Sequence, residues 1–435
     1  MVARAQDIPH VDYVAQLTRH LASVPVSRSD WQKRGSVAII IRLVIPENES
    51  KRPSAFDISS YGSDKTPASL VQTIHRFLDA PELKNAHMQM LFIQRAKYPG
   101  DPWSGHIGFP GGKREPTDGS DEVTAERETK EELGLNLSDM RNFVHLGRLD
   151  DTCAYSLFTK IILAVSAQVY LQIGERTPEM TLSAEIASVH WIDFNQVLKR
   201  VDKPVIPFTP EYRFIPVDMA SRMFPKHRQS QPLWYRGFQC LFRKFYYTVL
   251  PLEYTDANSI IRTAQQVHVP GVLETARLPV PSSRTSDLAD LSWKYGNTQF
   301  SSDTELYLWG LSLCILCNFV DLSLPVSPSV LHSAYTSVAS PWPQMDRLLW
   351  GDVNFMINTA HRFVWGPYCR KPLHIRMQKV DKSRVVGNNM DYFQAHFITL
   401  RAAFVVSCIF KTWIIWISGK SIVGLVQKAL KWISL

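Results

Sequence analysis

Apolar runs and amphipathic segments alternate along the first half of the chain. Gly35–Pro46 is β-branched and apolar almost throughout, which predicts a strand buried on both faces. Further strands are predicted at Met88–Arg95, Val144–Leu149, Thr159–Ser166 and Ile186–Trp191. Helices are predicted at Ala68–Leu83, Asp121–Leu133 and Asn195–Arg200, and loops at residues 47–66 and Pro99–Gly112. This alternation predicts an α/β (α+β) domain with a mixed β-sheet sandwiched between helices.

The flanking regions have a different pattern. Residues 1–34 are predicted to be a polar, partly helical lead-in, and residues 202–300, rich in proline and aromatic residues, a long insertion. Leu306–Leu322 is apolar but short for a membrane span, so we expect a buried helix that closes the domain. Residues 323–435 are predicted to be a basic C-terminal extension with an apolar helix at 402–418.

Composition and charge narrow the protein class. Apolar residues make up 45% of the 435 residues, which excludes wholesale disorder. The net charge is +8, and from Leu322 onward thirteen basic residues face four acidic ones, so the rest of the chain is nearly neutral. Basic residues beside apolar runs favour an anionic membrane surface over a nucleic acid. We expect no nucleic-acid partner.

Residues 400–435 are predicted to associate with a membrane, either spanning it or lying in its interface. Lys411 sits near the middle of the apolar run, and a lysine at the bilayer centre costs roughly 2.5–3.5 kcal/mol, so a span is marginal. After it, Lys420, Lys428 and Lys431 recur among apolar residues, as in a basic amphipathic helix. A helical pair that packs on itself or on a partner is the alternative.

The cysteines and the N-terminus bear on location. Six scattered cysteines in a chain of this size predict reduced thiols in an intracellular protein. Cys314 and Cys317 are spaced CxxC, but their apolar surroundings favour a buried helix over a zinc or redox site. The N-terminus shows no secretory signal pattern, and the sequence names no organelle.

Chemistry concentrates between Gly105 and Leu135. Glu128, Glu131 and Glu132 fall on one face of the predicted helix, where like charges repel each other. A divalent cation makes such a stripe favourable, because Mg²⁺ and Mn²⁺ prefer hard oxygen ligands. Gly111-Gly112 lies upstream and can approach a ligand closely. A solvated acidic face is the alternative from the helix alone.

This segment resembles the Nudix box, G-x5-E-x7-R-E-U-x-E-E-x-G-U, in which U is a bulky apolar residue. The run from Arg127 to Leu135, RETKEELGL, matches its second half with Thr129 at one U position. Gly112 is the leading glycine, Asp118 stands where the first Glu is expected, and the spacer before Arg127 has eight residues instead of seven. The resemblance covers roughly residues 35–322, and it implies a Nudix hydrolase domain over that range, with the insertion at about 202–300.

The segment is similar to the coenzyme A diphosphatase branch of that family in particular. The run Phe109-Pro110-Gly111-Gly112 with Gly105 matches the end of that branch's accessory signature. Asp101 stands where that signature has an arginine, and Arg95 is the nearest candidate. The branch therefore implies coenzyme A or a derivative as substrate; NADH and ADP-ribose are the alternatives within the enzyme class.

The resemblance implies a Mg²⁺- or Mn²⁺-dependent hydrolase that cleaves the diphosphate bridge of a nucleoside diphosphate-linked compound. It implies metal ligands at Glu128, Glu131, Glu132 and the Gly111 carbonyl, catalytic roles for Glu131, Glu128 and Arg127, and substrate contacts at Gly111, Gly112, Lys113, His106 and Arg95. Candidates for the general base are Glu131, Glu128, Glu185, Asp150 and Asp151. Asp118 is either a helix cap, a turn residue or a site residue. A catalytically silent, membrane-tethered Nudix binding module is the alternative from a different class.

Overall fold

The computed structural model describes most of the predicted domain and part of the C-terminal extension. The described residues are 5–23, 26, 28–45, 66–96, 105–155, 161–201, 213–217, 230–242, 245–255, 258–261, 305–324, 344–345, 347–360, 363 and 392–433. The predicted loop at 47–66, apart from its last residue, and most of the predicted insertion at 202–300 lie outside them.

Helices and strands alternate along these residues. The helices are α1 (His10–Ser23), α2 (Pro67–Leu78), α3 (Asp121–Leu133), α4 (Asn195–Val201), α5 (Leu233–Phe242), α6 (Gly310–Ser323), α7 (Arg347–Ala360) and α8 (Tyr392–Ile433). The strands are β1 (Arg34–Val44), β2 (His87–Arg95), β3 (Ile107–Gly108), β4 (Gly111–Lys113), β5 (Phe143–Arg148), β6 (Thr152–Tyr155), β7 (Ile161–Gln172), β8 (Ile186–Asp193), β9 (Arg213–Val217), β10 (Phe245–Glu253), β11 (Ser259–Ile261), β12 (Glu305–Leu308) and β13 (Gln344–Met345).

A large mixed sheet organises the domain in the order β11-β8-β2-β1-β7-β5, with β3, β4 and β6 pairing on β2, β1 and β7. The central pair β1–β7 is parallel, while β1 pairs antiparallel with both β2 and β4. Successive side chains of β1 point to opposite faces of the sheet, and both faces are covered. Ile39, Ile41 and Leu43 join a core with α1, α2 and α6. Ala38 and Ile40 join the core beneath α3. The predicted sheet between helices is confirmed.

Helix α1 contributes more to packing than its predicted role as a polar lead-in. Tyr13, Val14 and Leu17 are fully buried in the core shared with α2 and α6. Its His10 accepts a hydrogen bond from the Met88 backbone N–H, and burial lowers the pKa of that imidazole. The N-terminal segment therefore completes one face of the sheet.

Several element predictions differ from the structure. The predicted helix Ala68–Leu83 ends at Leu78, where Asp79 caps α2, and a separate 3₁₀ turn follows at Pro81–Leu83. The predicted loop Pro99–Gly112 contains β3.

Strand β7 continues to Gln172 and does not end at Ser166, because Gln168 and Gln172 are buried with partners: Gln168 bonds Ser166 and His145. These polar residues interrupt the apolar pattern without ending the strand. The predicted helix Leu306–Leu322 is wrong in its first turn, since β12 precedes α6. Trp309 lies between them, and α6 begins at Gly310, which has a φ of +64°. In α6, Cys314 and Cys317 are fully buried, as the apolar pattern predicts.

A second, smaller sheet has the order β12-β10-β13, with β9 also paired to β10. Its Leu250 and Leu306 pack into the large core, while Phe245 and Met345 form a separate cluster with α7 and α8. That cluster links the start of α8 to the globular part of the protein.

Candidate active site

The glycine turn before α3 is fixed against the centre of the large sheet. Gly111 has a φ of +144°, which favours glycine, and a Cβ there would collide with the backbone of Ser36 and Val37. Gly112 pairs with Ser36 of β1, and the Ala38 backbone N–H donates to the Pro110 carbonyl at 2.8 Å. The turn is therefore held in place by its pairing with β1.

Helix α3 begins and ends with capping residues. The Ser120 hydroxyl accepts from the Val123 backbone N–H at 3.2 Å, and Gly134 ends the helix in the left-handed conformation, so its bounds match the predicted Asp121–Leu133. Ala125, Thr129 and Leu133 repeat every four residues and are fully buried, which seats this face on the sheet. The helix therefore presents its glutamates beside the glycine turn.

Two of the three glutamates lie directly on that turn. Glu132 is 5% exposed, and its Oε2 accepts from the Gly111 backbone N–H at 2.9 Å. The Glu128 carboxylate occupies the space that a Cβ on Gly112 would need. Glycine is thus required at both positions: for conformation at Gly111 and for access at Gly112.

Without a bound cation, the protein disfavours the ionised forms of both carboxyls. Burial, with the neighbouring Glu128 charge, raises the pKa of Glu132 to about 8, although the hydrogen bond from Gly111 opposes the shift. Burial also raises the pKa of Glu128, against the opposing effect of its hydrogen bond from Arg127. A bound cation would relieve both costs.

Arg127 ties the acidic residues together. Its guanidinium donates to Asp118 and Glu128 at 3.0 Å each, to Glu131 at 3.0 Å and to the Lys113 carbonyl at 3.1 Å. The pairing of Arg127 with Glu131 joins two residues four positions apart on one face of α3. The same bonds raise the pKa of Arg127, and they hold the pKa of Asp118 at about 2.

Asp118 therefore has a role that the sequence left open. It does not cap α3, since Ser120 does; instead it accepts hydrogen bonds from Arg127, from the Thr124 hydroxyl and from the Glu115 backbone N–H. It is 5% exposed. An acidic residue shortly before the arginine of the box could have signalled this pairing.

A buried arginine network, which sequence reasoning missed, holds the start of α3. Arg34 of β1 donates to both oxygens of Asp121, at 3.1 and 2.7 Å, and to Asp151 at 2.8 Å. Arg114 also contacts Asp121 at 3.1 Å, and these cations lower the pKa of Asp121 against the effect of burial. Asp151, a candidate base, is thereby placed in this network and not beside the glutamates.

The remaining predicted residues surround the turn at different distances. Arg95 and Glu185 form an ion pair at 3.9 Å, and both charges influence the pKa of Glu132. Lys113 is exposed. The His106 ring packs edge-on against Trp309 at 4.9 Å between centroids. Asp150 lies in the loop after β5, next to Asp151.

The three predicted metal-binding carboxylates do not converge as a ligand set. Glu131 is 59% exposed and faces Arg127 at 3.0 Å. Throughout the described ranges, no group of three or more His, Cys, Asp and Glu side chains is arranged to hold a metal ion. Glu128 and Glu132 nevertheless fit a hard divalent cation, because they are desolvated oxygen donors on one backbone turn. Further ligands would have to come from carbonyls, water or the substrate.

Comparison with known proteins identifies part of the chain. Residues 76–212 match the model of the NUDIX domain. Over 112 residues the chain is 38% identical to an uncharacterized protein of Schizosaccharomyces pombe, covering 25% of this chain and 33% of that protein. The chain thus spans about a third of the length of this curated relative.

The chain also matches solved structures at low similarity. A MutT/nudix family protein from Enterococcus faecalis is 18% identical, covering 40% of this chain and 48% of its own, with a TM-score of 0.22. The NUDIX domain of Shewanella oneidensis NrtR, complexed with ADP ribose, is 15% identical, covering 42% and 85%, with a TM-score of 0.22. Likeness at this level carries no argument about fold or activity. On the family match and the sheet sandwiched between helices, residues 76–212 are a NUDIX domain and the architecture is a Nudix fold.

Proposed function

We propose that the protein is a Mg²⁺- or Mn²⁺-dependent Nudix hydrolase that cleaves the diphosphate bridge of a nucleoside diphosphate-linked compound. The observation that carries the proposal is the contact of Glu128 and Glu132 with the Gly111-Gly112 turn. A purely structural helix would gain little from burying two carboxylates against one backbone turn, since desolvating a charge is costly. A bound divalent cation would offset that desolvation cost, because it attracts both carboxylates.

The residues of the chain divide the work of such a reaction. Glu128 and Glu132 would hold the metal, with the Gly111 carbonyl as a further ligand. The metal would neutralise the anionic bridge and make bound water a better nucleophile. Arg127 fixes Glu128 and Glu131 in one arrangement, as a positioning residue.

The glycine turn and its neighbours would bind substrate. The Glu128 carboxylate fills the space in front of Gly112, so a diphosphate would reach the turn through a cation that Glu128 holds there. Lys113 and Arg95 supply positive charge, and His106 lies beside the turn. Glu185, 64% exposed and paired with Arg95, joins Glu131 and Glu128 as a candidate general base. Asp151 is a weaker candidate, because Arg34 holds it in a different network.

Coenzyme A or a derivative is the substrate we propose first. The support is the sequence from Gly105 to Gly112, followed by the box with Asp118. NADH and ADP-ribose remain the alternatives, since Asp101 replaces the arginine of the coenzyme A signature.

A substrate panel tests these proposals. The purified full-length chain is incubated with coenzyme A, NADH or ADP-ribose and Mg²⁺ or Mn²⁺, and the products are separated by chromatography. We expect cleavage of the bridge in one of them, and a loss of about 10²–10³-fold in Glu132→Gln, as for removal of a group that stabilises developing charge. Glu122→Gln, on the same helix and 46% exposed, is the matched control and should keep full activity.

A catalytically silent binding module is the second candidate. It is favoured by one observation: within the part of the chain that the structure describes, Glu131 does not join the other two carboxylates as a metal ligand. The two candidates separate in the same panel, because a silent module would bind a nucleotide diphosphate by calorimetry without turnover of any compound.

We also propose that the protein associates with a membrane through residues 400–435. The support is the segment Ile398–Gly419 of α8, 22 residues with a mean hydropathy of 1.7 and only 17% of its most apolar window buried. Flotation of the full-length chain with vesicles tests it. Replacing both Ile415 and Trp416 by Asp should abolish flotation, and equal recovery of both proteins in the soluble fraction would contradict the proposal.

A further inference from the structure

Lys411, the one charged residue between positions 402 and 418 of α8, is not left to solvent. Lys411 donates to Oδ1 of Asp352 in α7 at 3.1 Å, and its ammonium lies 4.1 Å from the centre of the Trp350 ring. The Ser407 hydroxyl, one turn earlier on α8, donates to the other oxygen of the same aspartate. Asp352 therefore contacts two successive turns of α8 on one side.

The surroundings of α8 change at Lys411. Before it, Leu400, Ala403 and Ser407 are buried, and this stripe packs on α7. From Thr412 to Gly419 every residue is exposed, including Trp413, Ile415 and Trp416 at more than half of their surfaces. An apolar helix that is exposed on all sides needs an apolar environment on all sides, which a groove on one partner does not provide.

A lipid bilayer fits this surface best. The 22 residues Ile398–Gly419 extend about 33 Å, close to the roughly 30 Å of a hydrocarbon core. The sequence then carries Lys420, Lys428 and Lys431, which complement anionic headgroups. Lys411 would lie well inside that thickness, where ionisable side chains require a partner.

We propose that Asp352 is a built-in counter-ion that allows Lys411, and with it α8, to enter a lipid bilayer. The pair forms within one chain before lipid is met, so the lysine enters as part of a neutral, hydrogen-bonded group. Asp352 and Trp350 of α7 thus act as determinants of membrane insertion although neither belongs to the apolar segment. This inference rests on the membrane association proposed above.

The test measures partition of the full-length chain onto vesicles of phosphatidylcholine and phosphatidylserine, by flotation. Asp352→Asn leaves Lys411 without its counter-ion and should weaken partition about tenfold or more. Lys411→Met leaves the aspartate alone and should also weaken it. The double variant, with neither charge, should recover at least wild-type partition, which a loss of folding in the single variants would not predict.

Control variants separate the two proposals. Glu82→Gln and Lys84→Met change exposed charges far along the chain and should not alter partition. If Asp352→Asn floats as well as the wild type, the counter-ion proposal is overturned while the membrane proposal stands. If the wild type itself does not float, membrane association fails and the counter-ion proposal with it. A vesicle-free dimer that depends on Ile415 and does not float would identify a second copy of the chain as the occupant instead, and would overturn both.

Discussion

Helices α3 and α8 differ in how many charged side chains they carry and in how the fold accommodates them. Helix α3 carries many charged residues, and ion pairs surround its N-terminal half. Arg127 pairs with Asp118, and Arg34 of β1 pairs with Asp121. Helix α8 is almost wholly apolar between Ile398 and Gly419 and leaves most of that surface exposed, yet its one internal lysine is paired. Asp118 and Asp121 near the start of α3 and Lys411 of α8 each have an ionic partner within the fold. Glu128 and Glu132 on the glycine turn differ in that burial disfavours their ionised forms and raises the pKa of both, even though Arg127 pairs with Glu128, and they therefore mark the candidate site.

The comparison predicts that equal losses of apolar surface have unequal effects in the two helices. Leu133 of α3 is fully buried, so Leu133→Ala should lower the free energy of unfolding by about 2–5 kcal/mol. Ile415 of α8 is 70% exposed, so Ile415→Ala should change it by less than about 0.5 kcal/mol. Urea denaturation of both variants without lipid checks this. A large loss in Ile415→Ala would mean that α8 is covered in the soluble protein.

Breaking the network at Arg127 should have the next largest effect. Arg127→Met removes the hydrogen bonds to three carboxylates and leaves the nearly buried Asp118 without its cation, so we expect a loss of about 2–4 kcal/mol. Activity should fall with it because Glu128 is no longer held. Thermal unfolding and turnover measured together check this, with Arg141→Met as the control, since Arg141 is an exposed arginine paired with Asp139. Unchanged stability would show that the network is not a structural unit.

Acid and base should destabilise the protein through different carboxyls. The folded-state pKa of Glu132 is raised to about 8, so its contribution is present below the unfolded value near 4.5 and is lost as pH rises toward 8. The folded-state pKa of Asp118 is lowered to about 2, so its contribution is present above the unfolded value near 4 and is lost as pH falls toward 2.

Substitutions can separate the pH dependence of stability that Glu132 causes from the pH dependence that Asp118 causes. In metal-free protein, melting temperatures between pH 5 and pH 8 should decline in the wild type and decline less in Glu132→Gln, while Asp118→Asn should flatten the acid side alone. Adding Mg²⁺ should reduce the decline above pH 5 if Glu132 is a ligand, because the cation binds the ionised carboxylate. The same decline in wild type and Glu132→Gln would contradict the assignment.

The last stability effect concerns Thr129, on the face of α3 that packs against the sheet. The Thr129 hydroxyl is buried and has no hydrogen-bond partner among the described residues. Thr129→Val removes an unpaired polar group at nearly constant volume and should stabilise the protein by about 1 kcal/mol. Chemical denaturation measures the gain, and Thr124→Val is the control, because the Thr124 hydroxyl bonds Asp118 and its removal should destabilise.

Local sequence determined the candidate helix and much of the sheet. The bounds of α3 follow from Ser120 and Gly134, because caps act within one turn, and β1 follows from an uninterrupted apolar run. The pairing of Arg127 with Glu131 also follows, since residues four apart share a helix face. The end of β7 could not be predicted in this way, because the partners that bury Gln168 include a residue of another strand.

Only the tertiary structure decided what each charge meets. The sequence placed three glutamates on one helix face, but the fold brought Glu132 and Glu128 to the glycine turn and turned Glu131 toward Arg127. It likewise gave Lys411 a partner, Asp352, that lies 59 positions away in the chain. Periodicity determines which face a side chain occupies, because backbone geometry is local; the partner on the other side of that face depends on which distant segments pack there.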